Sequence, residues 1–183
     1  MDSRTKLRSQ AELAAEILGS RAKEKGRVVA TAESLTGGLV SELITGVPGS
    51  SAWFDRGFVT YQAEAKVEMI DVPAEMIRRE GVVSEPVAEA MARGALAASK
   101  ADLAAALTGM AGPSGGTPET PVGTVCIGWA ERTDSGAIVT SVRTIHAPGD
   151  RQAVRLAAAA TALQGLIALI DGTDPMRMPS QYD

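Results

Sequence analysis

The chain has 183 residues, of which 45% are hydrophobic, 22% charged and only 3% aromatic, and its formal net charge is −4. These values predict one domain, residues 1–183, with an aliphatic core, and the acidic balance disfavours nucleic-acid partners. With one cysteine and one histidine, the chain has no internal disulfide, and most zinc sites built from Cys and His are excluded.

Residues 1–10 are not followed by an apolar signal-peptide core, and no run of about 18 apolar residues is evident elsewhere. The sequence therefore predicts a cytoplasmic protein with no membrane partner.

The first half of the chain alternates β-branched runs with segments of helical periodicity. Strands are predicted at 27–32 and 53–61, with Gly57 as a candidate bulge in the second. Helices are predicted at 10–25, 36–44, 63–70, 74–80 and, after the capping hydroxyl of Ser84, to about residue 100.

The second half supplies three more strands, at 101–107, 122–130 and 137–145, and the last two are expected to form a hairpin. Residues 109–121 hold too many glycines and prolines for a regular element. Asp150 is expected to cap a final helix at 151–170, followed by a loose tail at 172–183. Together these elements predict an α/β fold, a three-layer α/β/α sandwich with a mixed five-stranded sheet and a core of about 10–170.

Ligands of open α/β sheets gather beyond the carboxyl ends of the strands, and the turn at Ser34 lies at such a position. A hydroxyl there could be a nucleophile or only a helix cap, and the cap is the commoner use of such a serine. Gly37 and Gly38 favour the ligand interpretation, since two glycines at a helix start weaken the helix.

A serine nucleophile needs a base, and His146, at the end of the last strand, is expected to be a rim residue instead. A lysine can replace histidine when desolvation and neighbouring charge lower its pKa, and Lys66, five residues after Tyr61 at the end of a predicted strand, is the best candidate. An exposed lysine on a surface helix is the alternative. Asp150, Arg151 and Arg155 could hold a phosphate or could form only a cap and a solvated helix face.

Several segments occur in an order that resembles the CinA C-terminal domain family: 32–38 (AESLTGG), 49–54, 56–61, 64–66 (EAK), 81–87, 108–113 and 121–125. The resemblance implies a metal-free and cofactor-free nicotinamide-nucleotide amidohydrolase, which converts nicotinamide mononucleotide (NMN) to nicotinic acid mononucleotide and ammonia. It implies Ser34 as nucleophile, Lys66 as general base and Tyr61 as a hydrogen-bonding partner of both. An oxyanion would be held by N–H groups of the helix start and of the Gly109 loop.

The residues expected to contact the substrate follow the first and third strands or begin the last helix: Glu33, Thr36, Gly37, Gly38, Thr108, Gly109, Ala111, Gly112 and Arg151. Two alternatives remain open, a catalytically silent pyridine-nucleotide-binding protein and an interaction protein of competence or damage response. A homodimer is predicted, because small α/β domains often cover their sheet edges by pairing.

Overall fold

The computed structural model describes residues 3–182. Its sheet contains five strands in the order β2-β1-β3-β4-β5, where β1 pairs in parallel with β2 and β3, and the β3–β4 and β4–β5 pairs are antiparallel. The strands are β1 (Val29–Glu33), β2 (Phe54–Val59), β3 (Leu103–Gly109), β4 (Thr124–Arg132) and β5 (Ile138–His146). The predicted mixed sheet and closing hairpin are confirmed.

Six helices cover the two faces of this sheet: α1 (Ser3–Lys25), α2 (Leu39–Thr45), α3 (Ala63–Ile70), α4 (Ala74–Glu80), α5 (Glu85–Ala97) and α6 (Arg151–Ile170). Helices α1, α2 and α6 share one apolar cluster, and α3, α4 and α5 share the other. The sheet lies between them, and the predicted three-layer sandwich is confirmed.

Several elements differ from their predicted bounds. Helix α1 begins at Ser3 rather than at residue 10, and α2 begins at Leu39 rather than at 36, because residues 34–38 form a turn. Strands β3 and β4 each lie two residues beyond their predicted positions. Ser84 does not cap α5 with its hydroxyl, which donates instead to the carbonyl oxygen of Gly81 at 2.9 Å.

Gly57 is not the bulge that the sequence suggested. The pairing of β1 with β2 shifts between Val29 and Ala30, which pair with Phe54 and Arg56, so the irregularity lies two residues before Gly57. A Cβ atom on Gly57 would collide with the hydroxyl of Ser41 on α2 and lie 2.8 Å from that of Thr31. Gly57 is therefore required for the close packing of β2 against α2.

The chain after α6 is not loose within the described residues. The main-chain N–H of His146 donates to the carbonyl oxygen of Tyr182 at 2.8 Å, and Arg143 donates to the carbonyl oxygens of Met176 and Met178. Since β5 is an edge strand, its donors are available to a passing segment, and this segment supplies the acceptors.

Helix α6 is long and apolar enough, by length and composition, to cross a membrane, with a mean hydropathy of 1.8. In the fold 78% of its most apolar stretch is buried. Its composition is thus that of a core helix, packed against α1 and the sheet.

Candidate active site

Ser34 follows directly after β1 and stands at the carboxyl end of the parallel part of the sheet. Its main-chain N–H donates to the carbonyl oxygen of Leu107 on β3 at 3.0 Å, which fixes the start of the turn against the neighbouring strand. The residue is 8% exposed. The turn therefore presents the Ser34 hydroxyl at a fixed and largely enclosed position.

Glu33 holds the other side of this turn and does not have the substrate-binding position that was predicted. Its fully buried carboxylate accepts the main-chain N–H groups of Gly38, Val40 and Ser41 at 3.0, 3.0 and 2.8 Å, and also the Ser41 hydroxyl at 2.8 Å. These are the N–H groups that a helix leaves unpaired at its start. Glu33 caps α2 and positions the turn.

Replacing Glu33 with glutamine is expected to lower the free energy of unfolding by roughly 2–4 kcal/mol, since an amide nitrogen cannot accept the N–H groups that the carboxylate holds. Denaturant titration measures the change. Glu42→Gln in the same helix is the matched control, because the Glu42 side chain is 56% exposed and pairs with Arg8 at the surface. It should change stability by less than about 0.5 kcal/mol. Equal losses in the two variants would contradict the capping role.

Gly37 and Gly38 are needed for the shape of the turn. Their φ angles are 58° and 99°, in the left-handed region that favours glycine. A Cβ on Gly37 would meet nothing within 4 Å, and one on Gly38 would make only an ordinary contact with Val59. The two glycines let the chain reverse between Ser34 and α2.

Lys66 points from the first turn of α3 into the protein and is 0% exposed. Its amine nitrogen lies 3.1 Å from the Ser34 hydroxyl oxygen, 2.7 Å from the carbonyl oxygen of Thr60 and 3.3 Å from that of Tyr61. Among the described residues, no carboxylate pairs with this amine. The structure thus brings the two residues expected to react, 32 positions apart in sequence, into hydrogen-bonding contact.

Burial lowers the pKa of Lys66 from 10.5 to about 8. The cause is desolvation, which disfavours the charged amine when no anion replaces the lost water. At neutral pH about a tenth of the amine is therefore uncharged and able to accept a proton, far more than for an ordinary lysine.

The contacts of the amine also fix where its lone pair points. A neutral amine has two hydrogens and one lone pair, and the carbonyl oxygens of Thr60 and Tyr61 can only accept hydrogens. When both hydrogens are directed to these oxygens, the lone pair faces the third neighbour, the Ser34 hydroxyl. This is the orientation that a general base for that hydroxyl needs.

Tyr61 contacts the pair in a different way from the one predicted. Its main-chain carbonyl oxygen lies 3.4 Å from the Ser34 hydroxyl oxygen and accepts from Lys66, whereas its phenol hydroxyl accepts from Arg151 at 3.1 Å. Tyr61 is 51% exposed. The phenol therefore belongs to the rim of the site, and the carbonyl belongs to its centre.

Arg151 joins two loops of the rim. One arm of its guanidinium contacts the Tyr61 phenol and the other donates to the carbonyl oxygen of Gly112 at 2.7 Å. Ala111 and Gly112 are buried beside it. The loop after β3 and the loop after β2 are thus held together over the end of the sheet.

Thr108 and Gly109, at the end of β3, have mainly structural contacts. The Thr108 hydroxyl donates to the carbonyl oxygen of Val82 at 2.7 Å. A Cβ on Gly109 would lie 2.8 Å from the carbonyl oxygen of Thr124, so glycine permits close packing on β4. His146 is exposed, with its Nδ1 atom 3.4 Å from the Thr124 hydroxyl, as expected for a residue away from the Ser34–Lys66 pair.

Asp150 caps α6 as predicted, accepting the N–H of Ala153 at 2.9 Å. Arg155, for which the sequence allows a phosphate ligand or part of a solvated helix face, donates instead to the carbonyl oxygens of Leu35 and Thr36. No local pattern indicates this contact, which joins residues about 120 positions apart.

Not every polar group of the turn is paired. Within the described part of the chain, the N–H groups of Leu35 and Thr36 donate to no acceptor, and the buried Thr36 hydroxyl has no partner. The N–H groups at the start of α2, which were expected to hold an oxyanion, are occupied by Glu33. The N–H groups without an acceptor therefore belong to Leu35 and Thr36, which follow Ser34 directly and precede α2.

Known proteins resemble this chain over most of its length. The sequence model of the CinA C-terminal domain matches residues 11–170. Nicotinamide-nucleotide amidohydrolase PncC from Escherichia coli K12 is 50% identical over 151 residues, which are 82% of this chain and 89% of that protein. A putative competence-damage inducible protein from Symbiobacterium thermophilum is 51% identical over 85% of this chain, but the match spans only 37% of that longer relative.

Solved structures agree with the sequence comparison. The crystal structure of competence/damage inducible protein CihA from Agrobacterium tumefaciens superposes with a TM-score of 0.81 at 42% identity, covering 87% of this chain and 95% of that one. The resemblance noted in the sequence, and the α/β fold, are confirmed.

Proposed function

Because the chain belongs to the CinA C-terminal domain family, we propose that it is a nicotinamide-nucleotide amidohydrolase that releases ammonia from NMN. The observation that carries the proposal is the 3.1 Å contact between the buried Lys66 amine and the Ser34 hydroxyl. A protein that only bound nucleotides would have no need of a desolvated amine directed at a serine.

In the first half of the proposed reaction, the neutral amine of Lys66 takes the proton of the Ser34 hydroxyl while the oxygen attacks the carboxamide carbon of NMN. The carbonyl oxygen of the substrate becomes an oxyanion, which we assign to the N–H groups of Leu35 and Thr36 because they have no acceptor among the described residues. As the tetrahedral intermediate collapses, the proton on Lys66 passes to the leaving nitrogen. Ammonia departs, and the nicotinoyl group remains as an ester on Ser34.

In the second half, water replaces ammonia. Lys66, neutral again, takes a proton from the water as its oxygen attacks the ester carbon, and the same proton returns to Ser34 when the ester bond breaks. The product is nicotinic acid mononucleotide. Every proton is accounted for by Ser34, Lys66, the substrate and water.

The rest of the nucleotide is assigned to the rim. Arg151 is exposed, carries a fixed positive charge and joins two rim loops, so we assign it to the substrate phosphate, with Gly112 and Ala111 beside it. Thr108 and Gly109 shape the part of the site at the end of β3. Glu33, Gly37 and Gly38 act on the substrate only by positioning the turn.

A cytoplasmic location and a homodimer also belong to the proposal. The strands β2 and β5 form the two edges of the sheet. Exposed β2 positions such as Val59, at 45%, leave a surface that pairing of two copies would cover. No nucleic acid or membrane is included among the partners.

The direct test is to incubate the purified full chain with NMN and to measure ammonia and nicotinic acid mononucleotide together. The proposal requires the two products in equal amounts. Nicotinamide riboside, which lacks the phosphate assigned to Arg151, is the matched control and should react much more slowly. Binding of NMN by calorimetry without any ammonia would instead favour the catalytically silent nucleotide-binding protein, and absence of both would favour the interaction protein.

A further inference from the structure

Arg155 is on the opposite side of the sheet from Lys66, yet it contacts the same turn. From the second turn of α6, its Nε atom donates to the carbonyl oxygen of Leu35 at 3.2 Å and its Nη2 atom to that of Thr36 at 2.7 Å. Its third nitrogen donates to the side chain of Gln152 at 2.7 Å, which holds the guanidinium plane in place. Two successive peptide groups after Ser34 are therefore held by one side chain.

Because peptide groups are planar, these contacts of Arg155 also determine which groups lie on the other face of the turn. Apart from the Gly112–Pro113 bond, the described peptide bonds are trans, and in a trans peptide the C=O and N–H point in opposite directions. Drawing the Leu35 carbonyl toward Arg155 thus turns the Thr36 N–H away from α6. That N–H has no acceptor among residues 3–182, and the next one, of Gly37, donates to the Ser34 carbonyl oxygen at 3.1 Å.

We propose that Arg155 is a positioning residue for the oxyanion site, holding the peptide between Leu35 and Thr36 so that its free N–H faces the reacting carbonyl oxygen at Ser34. The inference rests on the proposed function and deepens it. Helix α6 would then contribute to the reaction through Arg155, although no residue of its second turn contacts the substrate in this proposal.

A guanidinium suits this task better than other side chains do. Its N–H groups form a rigid planar fork, which can hold two carbonyl oxygens at once, whereas a lysine amine is a single flexible point. Removing one donor from an oxyanion site commonly costs a factor of about 10² to 10³ in kcat. If the N–H of Thr36 is still present but no longer held in orientation, kcat should fall by a smaller factor.

In the full chain, Arg155→Gln is expected to lower kcat for NMN by roughly 10- to 100-fold while KM changes less than about twofold, since the N–H matters only once the oxyanion forms. Arg155→Lys should recover only a part of this loss. The pH midpoint of the reaction should stay where it is in the native chain, because Arg155 does not contact Lys66.

Arg93→Gln is the matched control. Arg93 also joins a helix to the sheet, donating to the carbonyl oxygen of Ile138 and the hydroxyl of Thr140, but far from the turn. It should leave kcat and KM unchanged. An unchanged kcat in Arg155→Gln, or a fall in kcat accompanied by a displaced pH midpoint, would overturn the proposal, the second because it would indicate a general disturbance of the site.

A second measurement keeps this inference separate from the choice of substrate. A fluorophosphonate reacts with an activated serine when the hydroxyl oxygen attacks phosphorus, fluoride leaves and the serine proton passes to Lys66, and the phosphoryl oxygen then occupies the oxyanion site. Labelling of Ser34 should slow by a similar factor in Arg155→Gln, and less in Arg155→Lys, even if the native chain releases no ammonia from NMN. Equal labelling rates would refute the role of Arg155, whereas absence of ammonia release alone would refute only the proposed function.

Discussion

Replacing Ser34 with alanine is expected to abolish ammonia release from NMN, with kcat lowered by about 10³-fold or more, because no other group can form the ester intermediate. Lys66→Met should have a comparable effect, since it keeps the buried volume but removes the base. The double variant should be no worse than either single one, because the two residues act as a unit. Initial rates of ammonia formation at saturating NMN measure all three.

Lys23→Met is the matched control for the lysine. The Lys23 amine also donates to a carbonyl oxygen, that of Pro48 at 3.2 Å, but at an exposed position. Full activity in this control together with NMN binding by both Ser34→Ala and Lys66→Met would show that the losses are chemical. More than a tenth of native activity in either site variant would exclude the Ser34–Lys66 mechanism.

Activity is expected to rise with pH through a midpoint near 8, the pKa to which burial lowers the Lys66 amine. Only the neutral amine can accept the serine proton, so below the midpoint kcat/KM should fall by about tenfold per pH unit and above it should level off. Rates measured from pH 6 to pH 10 at constant ionic strength provide the test. A flat profile across the neutral and alkaline range would contradict a lysine base.

The same pKa affects stability. Lys66 has a pKa of about 8 in the folded chain against 10.5 for an ordinary lysine, so between these values the unfolded chain binds more protons. Stability attributable to Lys66 should therefore be constant below pH 8 and rise between pH 8 and 10.5, by about 3 kcal/mol at most. The difference in unfolding free energy between the native chain and Lys66→Met isolates this contribution, and a difference independent of pH would argue that the amine is not desolvated.

Regular elements and the reacting pair were predictable from the sequence. Helix α3, helix α4 and helix α6 have the bounds that were expected, since each has a clear apolar period and a strong cap or breaker. The position of Ser34 after a buried strand placed it at the end of the sheet. Lys66 was the best candidate for its partner because it follows Tyr61 by five residues at the end of a predicted strand, and the likeness to a known family implied the same residue, although nothing local excludes a surface lysine.

The parts that could not be predicted are contacts between distant segments. Glu33 looks like a site carboxylate until the turn of Gly37 and Gly38 brings the start of α2 over it. Arg155 looks like a surface or phosphate-binding residue until α6 packs beneath the turn. Tyr61 acts through a main-chain atom at the centre of the site, and a sequence pattern describes side chains only.

The carbonyl oxygens of Thr60 and Tyr61 have a consequence for how this protein can be studied. Every amino acid has such an oxygen, so the two acceptors that steer the Lys66 amine survive any exchange of side chain at these positions. Alanine scanning would not detect their contribution, and natural substitutions at positions 60 and 61 would leave the orientation of the Lys66 amine unchanged. Only chemical editing of the peptide bond itself, such as an ester or thioamide at residues 60 and 61, would reveal their contribution.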